Sequence, residues 1–159
     1  MSKFGHLKEY NPEGRRVRYA LPIAGARNKK GEEVPAVLDI VHAGRSNRNY
    51  TAAVMQINAK KGPAIRIGPK PTAVDIQVAI KENLKIDREL FPQHIIKGWE
   101  GIADEDGKAV KFSVSACAEF LDALPDWIVH ELSVFCARPR NFLPDAMPTE
   151  VEVAEQAGN

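Results

Sequence analysis

Apolar residues recur along this chain with two different periods, and the period predicts each element in turn. Residues 17–24 (Val17-Arg18-Tyr19-Ala20-Leu21-Pro22-Ile23-Ala24) begin by alternating, which predicts a short strand. Pro22 places that strand at a sheet edge, because proline has no N–H for a ladder. Residues 25–33 read as a polar turn, and a nearly continuous apolar strand follows at 34–42 with Val37, Leu38, Ile40 and Val41. Two strands around a glycine-containing turn are most simply a β-hairpin. Gly44-Arg45-Ser46-Asn47 then interrupts the pattern, and Ser46 or Asn47 can cap a helix to about Lys60. Tyr50, Val54 and Ile57 fall on one face of it. Lys60-Lys61-Gly62-Pro63 is a helix stop. Residues 62–71 hold Gly62, Pro63, Gly68, Pro69 and Pro71 and predict a loop, with Ile65–Ile67 pinned on the body.

Val74 to Ile80 alternates with period two, as a strand would, yet it runs into Lys81–Leu90 without a breaker. Thr72 as cap with Asp75 at the third helical position echoes a capping box. A helix over 72–90 is therefore favoured over a strand, with a break near Lys85 and an end at Pro92. Residues 93–102 read as a strand, Asp104-Glu105-Asp106-Gly107 as a tight turn, and Val110-Lys111-Phe112 as the returning strand. Ser113 predicts a cap for a helix over about 114–123, with Phe120, Leu121 and Leu124 on its buried side. A last helix is expected over about 126–137, with Ile128, Leu132 and Phe135 on one face and Pro139 at its end.

These elements add up to an α+β domain over 17–142, in which a small antiparallel β-sheet of two hairpins packs against about four helices. Residues 1–16 are polar and read either as a mobile tail or as an extended basic arm that orders on a neighbouring subunit. Residues 143–159 form an acidic C-terminal tail. A length of 159 residues suits one domain of about 100–150 residues plus tails.

Charge changes the picture more than composition does. The net charge is +1, but residues 1–30 carry +6, residues 31–98 carry +3 and residues 99–159 carry −8. Such polarity points to an interacting arm or tail, and to subunits that meet head to tail. No apolar run approaches the roughly 18–20 residues that span a bilayer. The first residues lack the apolar stretch of a signal peptide, so a protein kept inside a cell is expected.

Candidate chemistry is sparse. His6, His42, His94 and His130 do not pair at i+3 or i+4, and Cys117 and Cys136 are nineteen apart, each among apolar neighbours. Buried structural cysteines are the simpler reading, and no metal site or cofactor is expected. An EF-hand reading of Asp104–Gly107 meets Lys108 where a ligand should follow, and no acid until Glu119. Ser113, Ser115, Asp104 and His130 lack the motif of a nucleophile elbow, so no enzyme is expected. Arg15, Arg16, Arg18, Arg27, Lys29 and Lys30 are candidate contacts, either to an acidic protein surface or, as the alternative, to nucleic acid. Trp99 and Trp127 read as core or as interface anchors.

Between residues 87 and 142 a set of short motifs occurs in order. They are Asp87-Arg88-Glu89-Leu90, Gly98-Trp99-Glu100-Gly101-Ile102 with Asp104, Asp106-Gly107-Lys108, Val110 with Phe112-Ser113, Leu124-Pro125-Asp126 and Asn141-Phe142. Together with Ala43-Gly44-Arg45-Ser46-Asn47 and Tyr50 upstream, this resembles small morphogenesis proteins of tailed bacteriophages, in particular the tail assembly chaperones of long-tailed phages. The likeness covers about residues 34–142. It implies a non-enzymatic assembly factor that binds a tape-measure or tail-tube protein in the host cytoplasm and keeps it soluble. The candidate partner contacts are the six cationic residues, which lie outside the likeness, together with Trp99, Trp127 and Phe142. The alternative is a permanent virion component, a capsid decoration or head–tail protein whose arms clamp neighbouring subunits, with the major capsid protein as partner; a homo-oligomer is compatible with either role.

Overall fold

The structure, a computed structural model, describes residues 3–60 and 69–144. The expected stop at Lys61-Gly62-Pro63, the pinned Ile65–Ile67 and the tail beyond Pro144 lie outside the described residues.

The architecture is α+β. Four short strands form within the first forty residues: β1 (Val17–Ala20), β2 (Ala26–Arg27), β3 (Glu33–Val34) and β4 (Val37–Ile40). β1 and β4 pair antiparallel, from Val17 opposite Ile40 to Ala20 opposite Val37. The expected hairpin is thus present, but its upper half is a separate ribbon in which β2 pairs with β3. Pro22 and Pro35 flank the break, and neither can donate to a ladder.

Helix α1 (Arg48–Lys60) follows, capped by Asn47, whose Oδ1 accepts the Tyr50 N–H at 3.1 Å. Helix α2 (Ala73–His94) opens on the capping box that its sequence announces: the Thr72 hydroxyl accepts from Asp75 N, and the Asp75 carboxylate accepts from Thr72 N. The helix alternative at 72–90 therefore holds over the strand, and two details differ. There is no break at Lys85, and Pro92 lies inside the helix instead of ending it. Pro92 sits in the final turn, where only the Arg88 carbonyl loses an N–H donor, and burial of Phe91, Pro92 and Ile95 holds the turn in place.

Strand β5 (Ile96–Glu100) pairs antiparallel with β4, which gives the order β1-β4-β5 with β1 at an edge. The near-continuous apolar run of β4 is explained by this central place; Leu38 and Ile40 are fully buried. The turn after β5 forms as expected. Asp104 Oδ1 accepts from Asp106 N and Lys108 N at 2.9 Å, and Gly107 adopts φ +79°. The returning strand at Val110–Phe112 does not form and shrinks to one bridge between Ala103 and Ala109. The Val110 carbonyl is taken by the Trp99 indole N–H at 2.7 Å, so a side chain replaces the next ladder bond.

Helices α3 (Val114–Ala123) and α4 (Asp126–Ala137) complete the domain. Ser113 caps α3 through a 3.0 Å bond from Ala116 N. Leu121, Leu124, Ile128, Val129, Leu132 and Cys136 close the core against β4 and the C-terminal half of α2. Arg88 fastens α2 to this corner. Its Nε donates to the Leu121 carbonyl at 3.1 Å, one Nη donates to the Leu124 carbonyl at 2.8 Å, and the other pairs with Asp126 at 2.8 Å. A guanidinium on the last carbonyls of a helix suits the negative end of its dipole. Replacing Arg88 with Met is expected to destabilise the fold by about 2–3 kcal/mol, because bonds to a charged group are lost and the α3 carbonyls keep their burial. Urea unfolding with an unchanged slope checks this.

The N-terminal arm is coiled: Gly5–Tyr10 form a 3-10 helix with no buried residue. Arg15 folds back onto it, donating to the carbonyls of Asn11 and Glu9. No helix among the described residues is long and apolar enough to cross a membrane.

Candidate functional site

Three helices build a cleft of about 350 Å³ in the helical layer. α2 forms its floor, α1 one wall and α4 the other. The floor is a single stripe, Ile80, Asn83, Leu84, Asp87 and Phe91, at i, i+3, i+4, i+7 and i+11. Tyr50, Val54 and Asn58 line the α1 wall; His130, Ser133, Val134 and Ala137 line the α4 wall. Eleven residues of α-helix make the floor about 16 Å long.

Asp87 is the chemical centre of this cleft. It is 8 % exposed, and its two oxygens accept one hydroxyl each, from Tyr50 at 3.0 Å and from Ser133. Among the described residues no Lys, Arg or His forms an ion pair with it. Burial raises its pKa, while the bonds from Ser133 and Tyr50 pull the other way. Tyr50 is raised well above the ordinary phenol value, by burial first and then by the adjacent carboxylate. The arrangement ties α1, α2 and α4 through one acid, and it leaves a desolvated carboxyl with no cation beside it among the described residues. Ser133 gives its proton to a carboxylate, which is not the state of a serine poised for attack through histidine.

Above the cleft the two helices run past the core. α1 has no fully buried residue, and α2 has none before Leu84. This lobe exposes Met55, Val74, Ile76, Val78 and Ile80. The period-two alternation seen in the sequence has this meaning on a helix: Val74 and Val78 fall on one side, Ile76 and Ile80 on the other.

The residues singled out in the sequence scatter. Arg18 pairs with Glu100 at 2.6 Å, both side chains more than half exposed, a contact of small energetic weight. The Arg27 side chain donates to the Gly31 carbonyl within its own loop, whose tip carries exposed Lys29 and Lys30. Arg15 is bound to the arm's backbone, and Arg16 is exposed. The basic tip is not isolated. Ala26 N donates to the Gly101 carbonyl at 2.8 Å and Arg27 N to that of Gly107 at 2.9 Å. That seats Arg27, Lys29 and Lys30 next to the acidic turn of Asp104, Glu105 and Asp106.

Trp99 packs edge-on to Phe112 and Phe120 at 5.2 and 5.5 Å. Phe142 is 1 % exposed beneath His42 and Phe135. Both act as core. Trp127 is 54 % exposed in the first turn of α4, away from the face of Ile128 and Leu132. Cys117 and Cys136 are buried and unpaired. Burial pushes the Cys117 thiol up to about 12; Cys136 is raised too, by burial and by Asp87. Among the described residues no group of three or more His, Cys, Asp or Glu side chains is arranged to hold a metal ion.

Sequence reasoning missed the cleft and Asp87. The signal was the α2 stripe, an acid centred between Leu84 and Phe91 on the apolar face of a predicted helix. A family model described as "YdaY prophage protein" matches residues 44–135, more than half of the chain, including α1, α2 and α4 as far as Phe135. No curated protein and no solved structure matches.

Proposed function

The chain belongs to the YdaY prophage protein family, and we propose that it is a phage morphogenesis protein that works by protein–protein contact, as a tail assembly chaperone does. It acts in the host cytoplasm without chemistry of its own and leaves before the particle is complete. The observation that supports this is the two-helix lobe. Met55, Val74, Ile76, Val78 and Ile80 are held out to solvent on helices that bury nothing of their own there. Apolar side chains exposed on both sides of one helix suit a partner that wraps or sandwiches the lobe. A tape-measure or tail-tube protein with apolar helical segments fits such a surface. The buried thiols and the Ser133 proton committed to Asp87 also favour binding over catalysis.

Two measurements test the reading. Mass spectrometry of purified virions is expected to lack this chain, and abundance in the particle overturns the chaperone assignment. Ile76→Asp with Val78→Asp, on an exposed surface, is expected to leave the thermal midpoint within about 2 °C and to abolish phage yield. Unchanged yield removes the lobe from the assembly role.

A permanent virion component is the second reading, and the arm favours it. Phe4, Leu7 and Tyr10 are large, apolar and exposed on an N-terminal segment whose 3-10 helix buries none of its residues. A virion that carries the chain at high copy supports this reading.

A further inference from the structure

We propose that the cleft between α1 and α4 takes the N-terminal arm of a second copy of this chain. The inference concerns the cleft, which shares Ile80 with the lobe, and stands whichever of the two roles above holds. Two features match each other. One is the cleft, apolar along Val54, Ile80, Leu84, Phe91 and Val134, with the Asp87 carboxylate in its floor and, among the described residues, no ion pair to balance it. The other is the arm, which exposes Phe4, Leu7 and Tyr10.

The arm's pattern suits docking. Three residues complete a turn of a 3-10 helix, so Phe4, Leu7 and Tyr10 line one side of Gly5–Tyr10 as a continuous apolar ridge. The ridge is about 12 Å long at about 2 Å per residue. The cleft floor, about 16 Å long, accommodates it. Charge agrees with shape. Residues 1–16 carry Lys3, Lys8, Arg15 and Arg16 against Glu9 and Glu13. Lys8 lies a third of a turn from Leu7, so with the ridge in the cleft it sits at the rim, and its flexible stem can swing the ammonium toward the Asp87 carboxyl. Tyr50 and Ser133 occupy one acceptor site on each Asp87 oxygen. A carboxylate has about four such sites, so it retains capacity for a cation.

The arm of the same chain does not line this cleft, and Phe4, Leu7 and Tyr10 are each more than half exposed. A contact from the arm of one copy to the cleft of the next is heterologous. It closes into a ring or continues as a filament according to the rotation between copies.

Complementation tests the pairing in full-length protein. Sedimentation velocity is expected to show wild-type assemblies larger than a monomer that grow with concentration. Leu7→Glu disables the arm and Val134→Glu disables the cleft, and each variant alone is expected to sediment as a monomer. An equimolar mixture is expected to form dimers and nothing larger, because one working arm and one working cleft remain. If Val134→Glu loses its helical circular dichroism, His130→Glu on the exposed rim takes its place. Lys8→Met and Asp87→Asn are each expected to weaken assembly about tenfold, and together no further than either alone. A wild-type chain that stays monomeric, a single variant that still assembles, or a mixture that stays monomeric overturns the proposal.

Discussion

Phe91→Ala is expected to destabilise the fold by about 3–5 kcal/mol, the range for removing a buried aromatic ring from a packed core. At about 2–4 °C per kcal/mol for a chain of this size, the thermal midpoint falls by about 6–20 °C. Phe91 is 1 % exposed and belongs to the main core cluster. Its ring also meets Tyr50 edge-on at 6.0 Å, and Tyr50 is one of the few α1 side chains packed against that cluster. Loss of the ring leaves a cavity under the α1 wall and loosens the bond from Tyr50 to Asp87. Phe91→Leu, which keeps most of the volume, is expected to lose less than half as much. Calorimetry on the three proteins decides; a loss below about 1 kcal/mol for the alanine variant contradicts the packing described.

Gly101→Ala is expected to lower stability by about 2–5 kcal/mol, through two separable causes. Gly101 has φ +72°, which costs an L-residue about 1–2 kcal/mol. A Cβ there would also overlap the carbonyl oxygen of Pro35 and lie 2.5 Å from that of Val34. Backbone cannot rotate out of the way as a side chain can, so the ribbon of β2 and β3 must move, at a further cost of about 1–3 kcal/mol. Gly107 supplies the control. Its φ is +79°, and a Cβ at that position would meet nothing within 4 Å, so Gly107→Ala shows the conformational cost alone, about 1 kcal/mol. Equal losses at the two positions contradict a close approach at Gly101.

Most local structure was legible because it is set by short-range chemistry. Thr72 with Asp75, Ser113, Asn47 and the Asp104–Gly107 turn each act over three or four residues, and each forms as the sequence indicates. The failures occur where a distant group intervenes. Pro92 stays inside α2 because Phe91, Pro92 and Ile95 are buried together. Val110–Phe112 is not a strand because the indole of Trp99 takes the carbonyl that a ladder needs. The cleft was hidden for a related reason: its walls lie about eighty residues apart in the chain, and only the tertiary arrangement brings them together over α2.

The motifs that suggested phage morphogenesis proteins serve mainly to fasten the fold. Arg88 reaches Leu124 and Asp126, Trp99 reaches Val110, and Asn141 donates to the Phe135 carbonyl at 3.0 Å. The charge split also takes a different form in three dimensions. Basic and acidic turns sit side by side, and Arg18 meets Glu100, so part of the +6 and −8 cancels locally. The net positive charge of the arm and the buried carboxyl of Asp87 take no part in either of these contacts.

The place of β4 has a consequence for synthesis. Its second neighbour, β5, lies far downstream, with Ile96 opposite Ile40. A ribosome that adds about 5–20 residues per second therefore finishes β4 roughly 3–12 seconds before β5 emerges. Throughout that interval a strand destined for the centre of a sheet has one bare edge, and Leu38 and Ile40 lack their cover. The nascent hairpin is most prone to stray pairing in this window, and slower translation of codons 41–95 lengthens it, so the yield of folded protein depends on elongation rate as well as on final stability.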